Sequence, residues 1–593
     1  MSTGYILGIS RGHNAGVCLL KDGNIVFAIE EERLSRHKYD GGPYAAMMKV
    51  KEYTDKLDYI VISHTQSLQE TCGKVDYTGD NIYTGLARKM GLISRKEDLQ
   101  NHPQVIDMSN QHHKIHAAAA FYRSGFDSAA AVIVDGAGTS FDAVFRNEPL
   151  KLWEVESIFK FSYNDPAKTI YKHYGCRSPI TAYFNTQENS ESIGEEGTHT
   201  TLISGHAGIV KVYEAVTEYC GFQGIEAGKT MGLFPYGNPN ENIPKLFTNN
   251  TKFPISDRNV IVPTYPNGAI VDEHLYSELS LDFTVNDVTQ LQNRRDLAYA
   301  VQTETQDQVL NLIITAAKMT GESNVVVSGG YGLNCVANYH YLTKLNEEGI
   351  NLYVEPISND GGTAIGAALL FYYATTGSTK KQPSSIYLGP KYDYTEQQIN
   401  DLVEEYGASI TDITDSDVVS LIRQKNIVSM FQGRSENGPR ALGNRSILFD
   451  PTFEDGKDFV NTVKRREYFR PFAGTILEED VHDWFDLRGM EKTPHMMYAV
   501  NCQPGIEEKI PSIIHVDGTC RIQTVTEEQN QHYYNLIKAF YAKTEVPILF
   551  NTSFNLGGDP LVETLEDAID TLAKSEIEYL YLPEMGKLIK VSN

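Results

Sequence analysis

Two histidines four residues apart, His112 and His116, lie in the run Gln111-His-His-Lys-Ile-His-Ala117. On a helix that spacing puts both rings on one face, where both can turn a nitrogen towards one metal ion, while His113 points about 100° away. Two imidazoles need carboxylate or water to complete a site, and Asp135 and Asp360, each in a loop where an apolar strand ends, are the candidates. Imidazole with carboxylate suits Fe(II), Mn or Zn and leaves positions open for a substrate phosphate or carbonyl oxygen. An isolated pair would sooner serve a polar helix face; the surrounding motifs reverse that preference in favour of the metal.

A second chemistry has the opposite sign. Residues 423 to 470 hold ten Lys or Arg against six Asp or Glu, inside a chain with 52 basic and 77 acidic side chains and a net charge of −25. There stand Gly433-Arg-Ser-Glu-Asn-Gly-Pro-Arg-Ala-Leu-Gly-Asn-Arg445-Ser446 and Asn461-Thr-Val-Lys-Arg-Arg-Glu-Tyr-Phe-Arg-Pro-Phe-Ala473. Arginines bracketed by Gly and Pro are held by turns, not spread along a helix face, which suits fork-like binding of phosphate oxygens. His515-Val-Asp-Gly-Thr-Cys-Arg521 and Val546-Pro-Ile-Leu-Phe-Asn551-Thr-Ser-Phe-Asn555 each pair a strand with a polar end and read as walls of the same pocket.

The elements that must position these groups repeat a plan. Tyr5–Ser10, the loop Arg11–Gly16, Val17–Leu20, the turn Lys21-Asp-Gly-Asn24 and Ile25–Ile29 are echoed by Ala131–Val134, Asp135-Gly-Ala-Gly-Thr-Ser140, Phe141–Phe145, the turn Arg146-Asn-Glu-Pro149 and Leu150–Val155. This predicts a duplicated α/β fold of the actin, sugar-kinase and Hsp70 type, two unrelated hairpins being the plainer alternative. A long helix is expected over Asp296–Met319. After it, the strands Asn324–Val327 and Asn351–Val354 run into Ser328-Gly-Gly-Tyr-Gly-Leu-Asn334 and Ser358-Asn-Asp-Gly-Gly-Thr-Ala364. Each is a strand, a glycine turn and a helix start, which aims backbone N–H groups and the helix dipole at phosphate. The polar, breaker-rich stretch 375–385 predicts a domain boundary near residue 380, hence domains 1–380 and 381–593.

The 593 residues, 41% hydrophobic and 22% charged, describe a globular chain with a sizeable core. Its acidity excludes binding nucleic acid or anionic membrane through the overall field. The chain has no apolar run of about 18 residues and no basic N-terminal stretch followed by an apolar one, so neither a membrane span nor a signal peptide is expected, and a cytoplasmic location is. Seven cysteines without a C-x-x-C pair argue against a disulfide framework or a cysteine zinc site; Cys18, Cys335 and Cys520, although near motifs, read as buried packing.

Taken together the motifs resemble the ATP-dependent O-carbamoyltransferases that decorate nodulation factors, cephems, aminoglycosides and ansamycins. The matching residues are Glu31-Glu-Arg33 with Arg36 and Lys38, His112-x-x-x-His116, Glu226-Ala-Gly-Lys-Thr-Met-Gly-Leu233, Ser328-Gly-Gly-x-x-Leu-Asn334, Gly438-Pro-Arg-Ala-Leu-Gly-Asn-Arg-Ser-Ile447, Phe469-Arg-Pro-Phe472, His515-Val-Asp-Gly-Thr519 and Asn551-Thr-Ser-Phe-Asn555. The resemblance implies an N-terminal actin-like domain similar to the tRNA threonylcarbamoyl-adenosine transferase, fused to a C-terminal YrdC-like former of carbamoyl-adenylate. It implies ATP with Mg2+, carbamoyl phosphate and a hydroxylated acceptor (a sugar, natural product or hydroxymethylated nucleotide) as partners, with a homodimer as the assembly considered.

Carried over, the resemblance assigns Arg440, Lys464, Arg470 and Arg521 to the phosphates, with His515 and Asn551 as neighbours and Lys38 as a further catalytic cation. It assigns His112, His116, Asp135 and Asp360 to one divalent metal, Fe(II) by family analogy. It implies Gly136, Gly138, Gly228, Lys229, Gly329, Gly330 and Asn334 as the adenylate cradle and His13 as the base that deprotonates the acceptor.

Three departures stand out. Gly557 replaces the arginine usual after Asn-Thr-Ser-Phe-Asn-x, which leaves its duty to Arg445, to Arg466 or to no residue. Asn14 replaces the aspartate beside His13. The stretch 186–210, with Glu188, Glu191, Glu195, Glu196, His199 and His206, reads as an insertion that shapes the acceptor site. The rival readings are a sugar or glycerol kinase, which leaves the histidine pair and the arginines unexplained, a threonylcarbamoyl transferase for tRNA, which at −25 would need partner subunits, and a nucleotide-binding scaffold without activity.

Overall fold

The computed structural model describes residues 4–65, 82–97, 102–185, 199–248 and 287–591, with short strands at 257–258, 261–263 and 269–271. Cys72 and the four glutamates of the proposed insertion lie outside the described residues. The chain divides into two compact units, Met1–Glu31 with Tyr39–Ser384, and Glu32–Lys38 with Ser385–Asn593.

In the first unit, β1 (Tyr5–Ser10), β2 (Gly16–Lys21), β3 (Asn24–Glu30), β4 (Tyr59–Ser63) and β5 (Val105–Asp107) form a sheet in the order β3-β2-β1-β4-β5. The first three strands are antiparallel neighbours, and β4 and β5 continue parallel to β1. The second sheet uses β6 (Ser128–Val134), β7 (Ser140–Phe145), β8 (Glu148–Ser162), β9 (Lys168–Gly175), β10 (Thr181–Asn185), β11 (Thr200–Ser204), β16 (Asn324–Ser328) and β17 (Asn351–Val354). Its centre runs β9-β8-β6-β16-β17 with the same alternation, two antiparallel pairs and then two parallel ones. The duplication predicted from the sequence is therefore present as a topology, and it is the actin-like arrangement, but β7, matched there with β2, lies off the central path and pairs with β8, which itself takes the place beside β6. Two short ribbons, β12 (Phe247–Thr248) with β13 (Asp257–Arg258) and β14 (Ile261–Pro263) with β15 (Ala269–Val271), complete the strands of this unit among the described residues.

Both hairpins turn on two residues in the left-handed region, Asp22-Gly23 and Arg146-Asn147, the conformation that matches strand twist. The second turn is shorter than the expected Arg146–Pro149: Glu148 already pairs with Phe145, so β8 takes in Glu148 and Pro149 and runs for 15 residues.

Two helices set the geometry between the sheets. His112–Ser124 is rich in alanine and Gly361–Thr376 in glycine and alanine, and nearly all of both is buried. Small side chains let their backbones nearly touch: a Cβ placed on Gly366 would stand 2.2 Å from Ile115 O, and one on Gly8 of β1 would stand 2.0 Å from Ala364 O. The polar stretch after the second helix is tied to this unit, since Arg123 Nη2 donates to Ser384 O at 3.1 Å and Gln382 Nε2 to Gly23 O at 2.8 Å.

The second unit is built on one ten-stranded sheet. Its middle is β20 (Arg445–Phe449), β25 (Ile548–Ser553), β21 (Ala473–Leu477) and β24 (Thr519–Val525), neighbours in that order. Among the described residues no helix is long and apolar enough to cross a membrane, and the six described cysteines are free thiols.

Gly366→Ala should cost about 1–3 kcal/mol through overpacking, against a helix-propensity gain of about 1 kcal/mol. The expected result is a lower thermal midpoint together with weaker metal retention. An unchanged midpoint would show that the two helices can separate freely.

Candidate functional site

His112, His116, Asp135 and Asp360 come together, all buried, with one ligand atom from each lying within 4.8 Å of the others. His112 and His116 start the first of the two helices, Asp135 follows β6, and Asp360 precedes the Gly361–Thr376 helix. His112 Nε2 stands 3.5 Å from Asp135 Oδ2 and 3.5 Å from Asp360 Oδ1, and His116 Nε2 stands 3.3 Å from Asp360 Oδ1. These separations exceed a charge-assisted hydrogen bond of about 2.7–2.9 Å. They match the ligand-to-ligand edge of about 3.4 Å that bonds of about 2.1 Å make around a tetrahedral ion.

Electrostatics agrees with the donor chemistry. Burial lowers the His112 pKa, but the charges of Asp360 and Asp135 outweigh it and push it up to about 10. Burial works the other way on Asp360 and Asp135, yet both carboxyls are held below their usual range by the imidazoles. The pocket therefore stabilises positive charge, and two nitrogens with two carboxylates fit a divalent cation.

Around this group is a shell that the sequence did not reveal. Gly330 N–H donates to Asp135 Oδ1 at 3.1 Å, and Ser328 Oγ lies 3.4 Å from His116 Nδ1. Gly329 makes this possible by taking φ 88° against Val134, where a Cβ would lie 2.4 Å from the carbonyl oxygen. Glu154 on β8 accepts from the backbone N–H of His113 and of Thr139 and pairs with Lys172, so one carboxylate ties the helix bearing the histidines to the loop bearing Asp135. Burial pushes His113 down to about 4, so it is neutral here, with Nδ1 2.7 Å from Ser157 Oγ.

His13 lies at the edge, its side chain 48% exposed, with Nδ1 3.8 Å from Asp360 Oδ2. The carboxylate absent at position 14 thus arrives from a residue remote in sequence. Gly136 and Gly138 lie on the Asp135 loop, and a Cβ on Gly136 would meet Glu214 at 2.8 Å, so Glu214 and its partner Lys211 flank the loop. Gly228 and Lys229 sit on Ala227–Leu233, where Lys229 pairs with Glu226 at 2.7 Å. Asn334 departs from the expectation of ligand binding. Its amide exchanges hydrogen bonds with Gln302 and caps the next helix through Ala337 N, so its polar atoms are engaged in structure.

The second unit gathers the cations. Arg521 and Asn551 are both paired with Ala473 of β21, from opposite sides, which sets them on one row of the sheet. Lys464 caps the helix Gly456–Val463 and is 1% exposed, donating to Ser553 O and Asn555 Oδ1. Its pKa is driven well below the usual lysine range, first by burial and then by the charges of Arg466, Arg470 and Lys38. Burial followed by Arg470 and Arg521 does the same to Arg466. Arg470 is 3.5 Å from Glu467. A buried group of like charges of this kind is relieved by an anion.

His515 is buried on a turn in which its N–H donates to Thr519 O at 2.8 Å and its carbonyl accepts from Gly518 N–H at 2.9 Å. Asn551 holds Ala441 O at 3.2 Å and so anchors the loop of Arg440. Arg445, expected among the phosphate ligands, is placed elsewhere: it is fully buried, donates to the carbonyls of Gln432, Gly433, Asn444 and Glu563, and stacks on Phe431 at 3.8 Å. Its fork organises the loop from within. At Gly557 a Cβ would stand 2.6 Å from Arg465 O, so any side chain would have to displace the backbone carrying Lys464.

The family model described as Carbamoyltransferase N-terminus matches residues 5–369, and that described as Carbamoyltransferase C-terminus matches residues 419–587. The chain belongs to the carbamoyltransferase family. An uncharacterised protein of Synechocystis is 30% identical over 98% of this chain and 95% of its own, and the nodulation protein NolNO of Sinorhizobium fredii is 28% identical over 96% and 78%. Full-length HypF in its phosphate- and nucleotide-bound form covers 64% of this carbamoyltransferase and 56% of its own chain, at 14% identity and a TM-score of 0.35.

His116→Ala and Asp360→Asn should each reduce bound metal to near zero by elemental analysis of the purified protein. Glu154→Gln should retain metal but exchange it faster. Stoichiometric metal in Asp360→Asn would remove this cluster as its site.

Proposed function

We propose that this carbamoyltransferase makes carbamoyl-adenylate in its second domain and transfers the carbamoyl group to an acceptor hydroxyl in its first. The transfer domain is the first unit, the expected 1–380 extended to Ser384 and without Glu32–Lys38, and the adenylate-forming one, similar to YrdC proteins, is Ser385–Asn593 with that segment. The observation that carries the reading is the segregation of two chemistries: a carboxylate–imidazole cluster in one unit and, in the other, mutually repelling cations gathered around the buried Lys464.

For the atoms to balance, carbamoyl phosphate first loses phosphate to water. A carbamate oxygen then attacks the α-phosphorus of Mg2+-bound ATP, and pyrophosphate leaves. Lys38, Arg440, Lys464, Arg466, Arg470 and Arg521 hold the phosphate oxygens and offset the charge that builds during attack, with His515 beside them. This is catalysis by positioning and preorganised charge.

In the first domain the glycine loops at Asp135–Gly138 and Gly329–Gly330 offer backbone N–H groups to the adenylate. His112, His116, Asp135 and Asp360 would hold Fe(II), which supplies Lewis acidity towards the adenylate phosphate. His13, beside Asp360, takes the proton of the acceptor hydroxyl as its oxygen attacks the carbamoyl carbon and AMP departs. The acceptor is a small hydroxylated molecule such as a sugar or natural product.

The purified protein should release pyrophosphate from ATP when carbamoyl phosphate is present and not when it is omitted. ATP turnover driven by a sugar instead would overturn the assignment. His112→Ala should abolish transfer and leave pyrophosphate release largely intact, whereas Arg470→Ala should lower pyrophosphate release by about 10²–10³-fold. Equal loss of both partial reactions in His112→Ala would make the metal cluster a structural device.

A further inference from the structure

The segment Glu32–Lys38 lies within the stretch matched by the N-terminal family model, yet it packs as part of the second unit. Two of its arginines show how it is held. Arg33 is 3% exposed and donates through Nη2 to Gly438 O at 2.6 Å. Arg36 donates to Leu561 O at 2.7 Å and Pro560 O at 3.1 Å, with Nε 3.6 Å from Asp567. Its backbone is left-handed, φ 59°, a conformation that a residue with a Cβ holds only where surrounding contacts over-determine it. Two residues on, Lys38 adds its charge to that acting on Lys464.

The Arg33 contact falls on the loop that presents Arg440, and the Arg36 contacts fall on the segment 560–567. Arg445 holds the start of that loop through the carbonyls of Gln432 and Gly433. Glu436 holds its far side, one carboxylate oxygen accepting from the N–H groups of Leu442 at 2.6 Å, Asn444 at 2.9 Å and Arg445 at 3.4 Å. The turn between them, Gly438-Pro439-Arg440, is gripped by Arg33. The buried carboxylate of Glu563 is charge partner to Arg33 and Arg445 alike, so one anion lets both arginines stay buried.

We propose that Arg33 and Arg36 are positioning residues for the cation pocket: Arg33 sets the turn that presents Arg440, and Arg36 clamps the segment that carries Lys38 towards Lys464. The role of the pocket rests on the adenylation reading above; the positioning itself rests on the contacts just given. A loop free to shift by an ångström loses alignment worth about 10²-fold, which sets the scale of the effect.

The test uses the full chain with Arg33→Ala, Arg33→Lys and Arg36→Ala. Each is measured for binding of inorganic pyrophosphate by calorimetry, KM and kcat of carbamoyl-phosphate-dependent pyrophosphate release, metal content and thermal midpoint. The alanine variants should bind pyrophosphate at least tenfold more weakly and raise KM more than they lower kcat, with metal content unchanged. Arg33→Lys, which keeps a donor for Gly438 O, should recover part of the affinity. Wild-type pyrophosphate affinity in Arg36→Ala, or in a folded Arg33→Ala, would overturn the proposal. If Arg33→Ala does not fold, Arg36→Ala decides alone, since its side chain is partly exposed. Pyrophosphate binding by the wild type without carbamoyl-phosphate-dependent turnover would reject the adenylation reading and leave the calorimetric comparison to judge the positioning.

Discussion

Asp360 places its two oxygens within 3.8 Å of three imidazoles drawn from two separate stretches of the chain. A buried carboxylate in that position is tolerated only because positive charge or a metal faces it, and most of the first unit can be read as the scaffold for that meeting. The helix that follows Asp360 lies against β1 at Gly8 and against the histidine-bearing helix at Gly366, both at distances where no side chain fits. Glycine at these two positions is thus a condition for the cluster, because it fixes how far Asp360 stands from His112 and His116.

The second unit solves the opposite problem. Lys464 is buried and Arg466 half-buried among like charges, which desolvation alone would make costly. The fold admits them by giving their donors backbone and amide oxygens, Ser553 O and Asn555 for Lys464, and by holding neighbouring loops with charge pairs of their own. Glu436 and Glu563 serve that end: they are carboxylates inside a cationic region that hold loops in place. A phosphorylated ligand then meets a preorganised set of cations, with little reorganisation needed on binding.

Several parts of this organisation were legible in the residues. The i, i+4 spacing of His112 and His116 foretold a shared face, and the strand–glycine–strand repeat foretold two sheets of one plan. Asp22-Gly23 announced its hairpin because that dipeptide accepts the left-handed turn at low cost. Less was visible wherever a side chain's role depends on what stands opposite it. Arg445 and Arg466 look alike in sequence, both basic and both in loop-rich surroundings, yet Arg445 is spent on carbonyls and Arg466 is not.

The sequence by itself determined the local periods, the residue types able to bind metal and phosphate, and the reversal of charge between residues 423 and 470 in an acidic chain, because these follow from composition and short-range spacing. Only the tertiary structure decided that Asp360 supplies the carboxylate beside His13, that Glu154 joins two ligand-bearing elements, and that Glu32–Lys38 serves the second unit. Those outcomes depend on contacts between residues separated by scores or hundreds of positions. The distance between such residues is set by strand order and backbone approach, and spacing along the chain carries no measure of it.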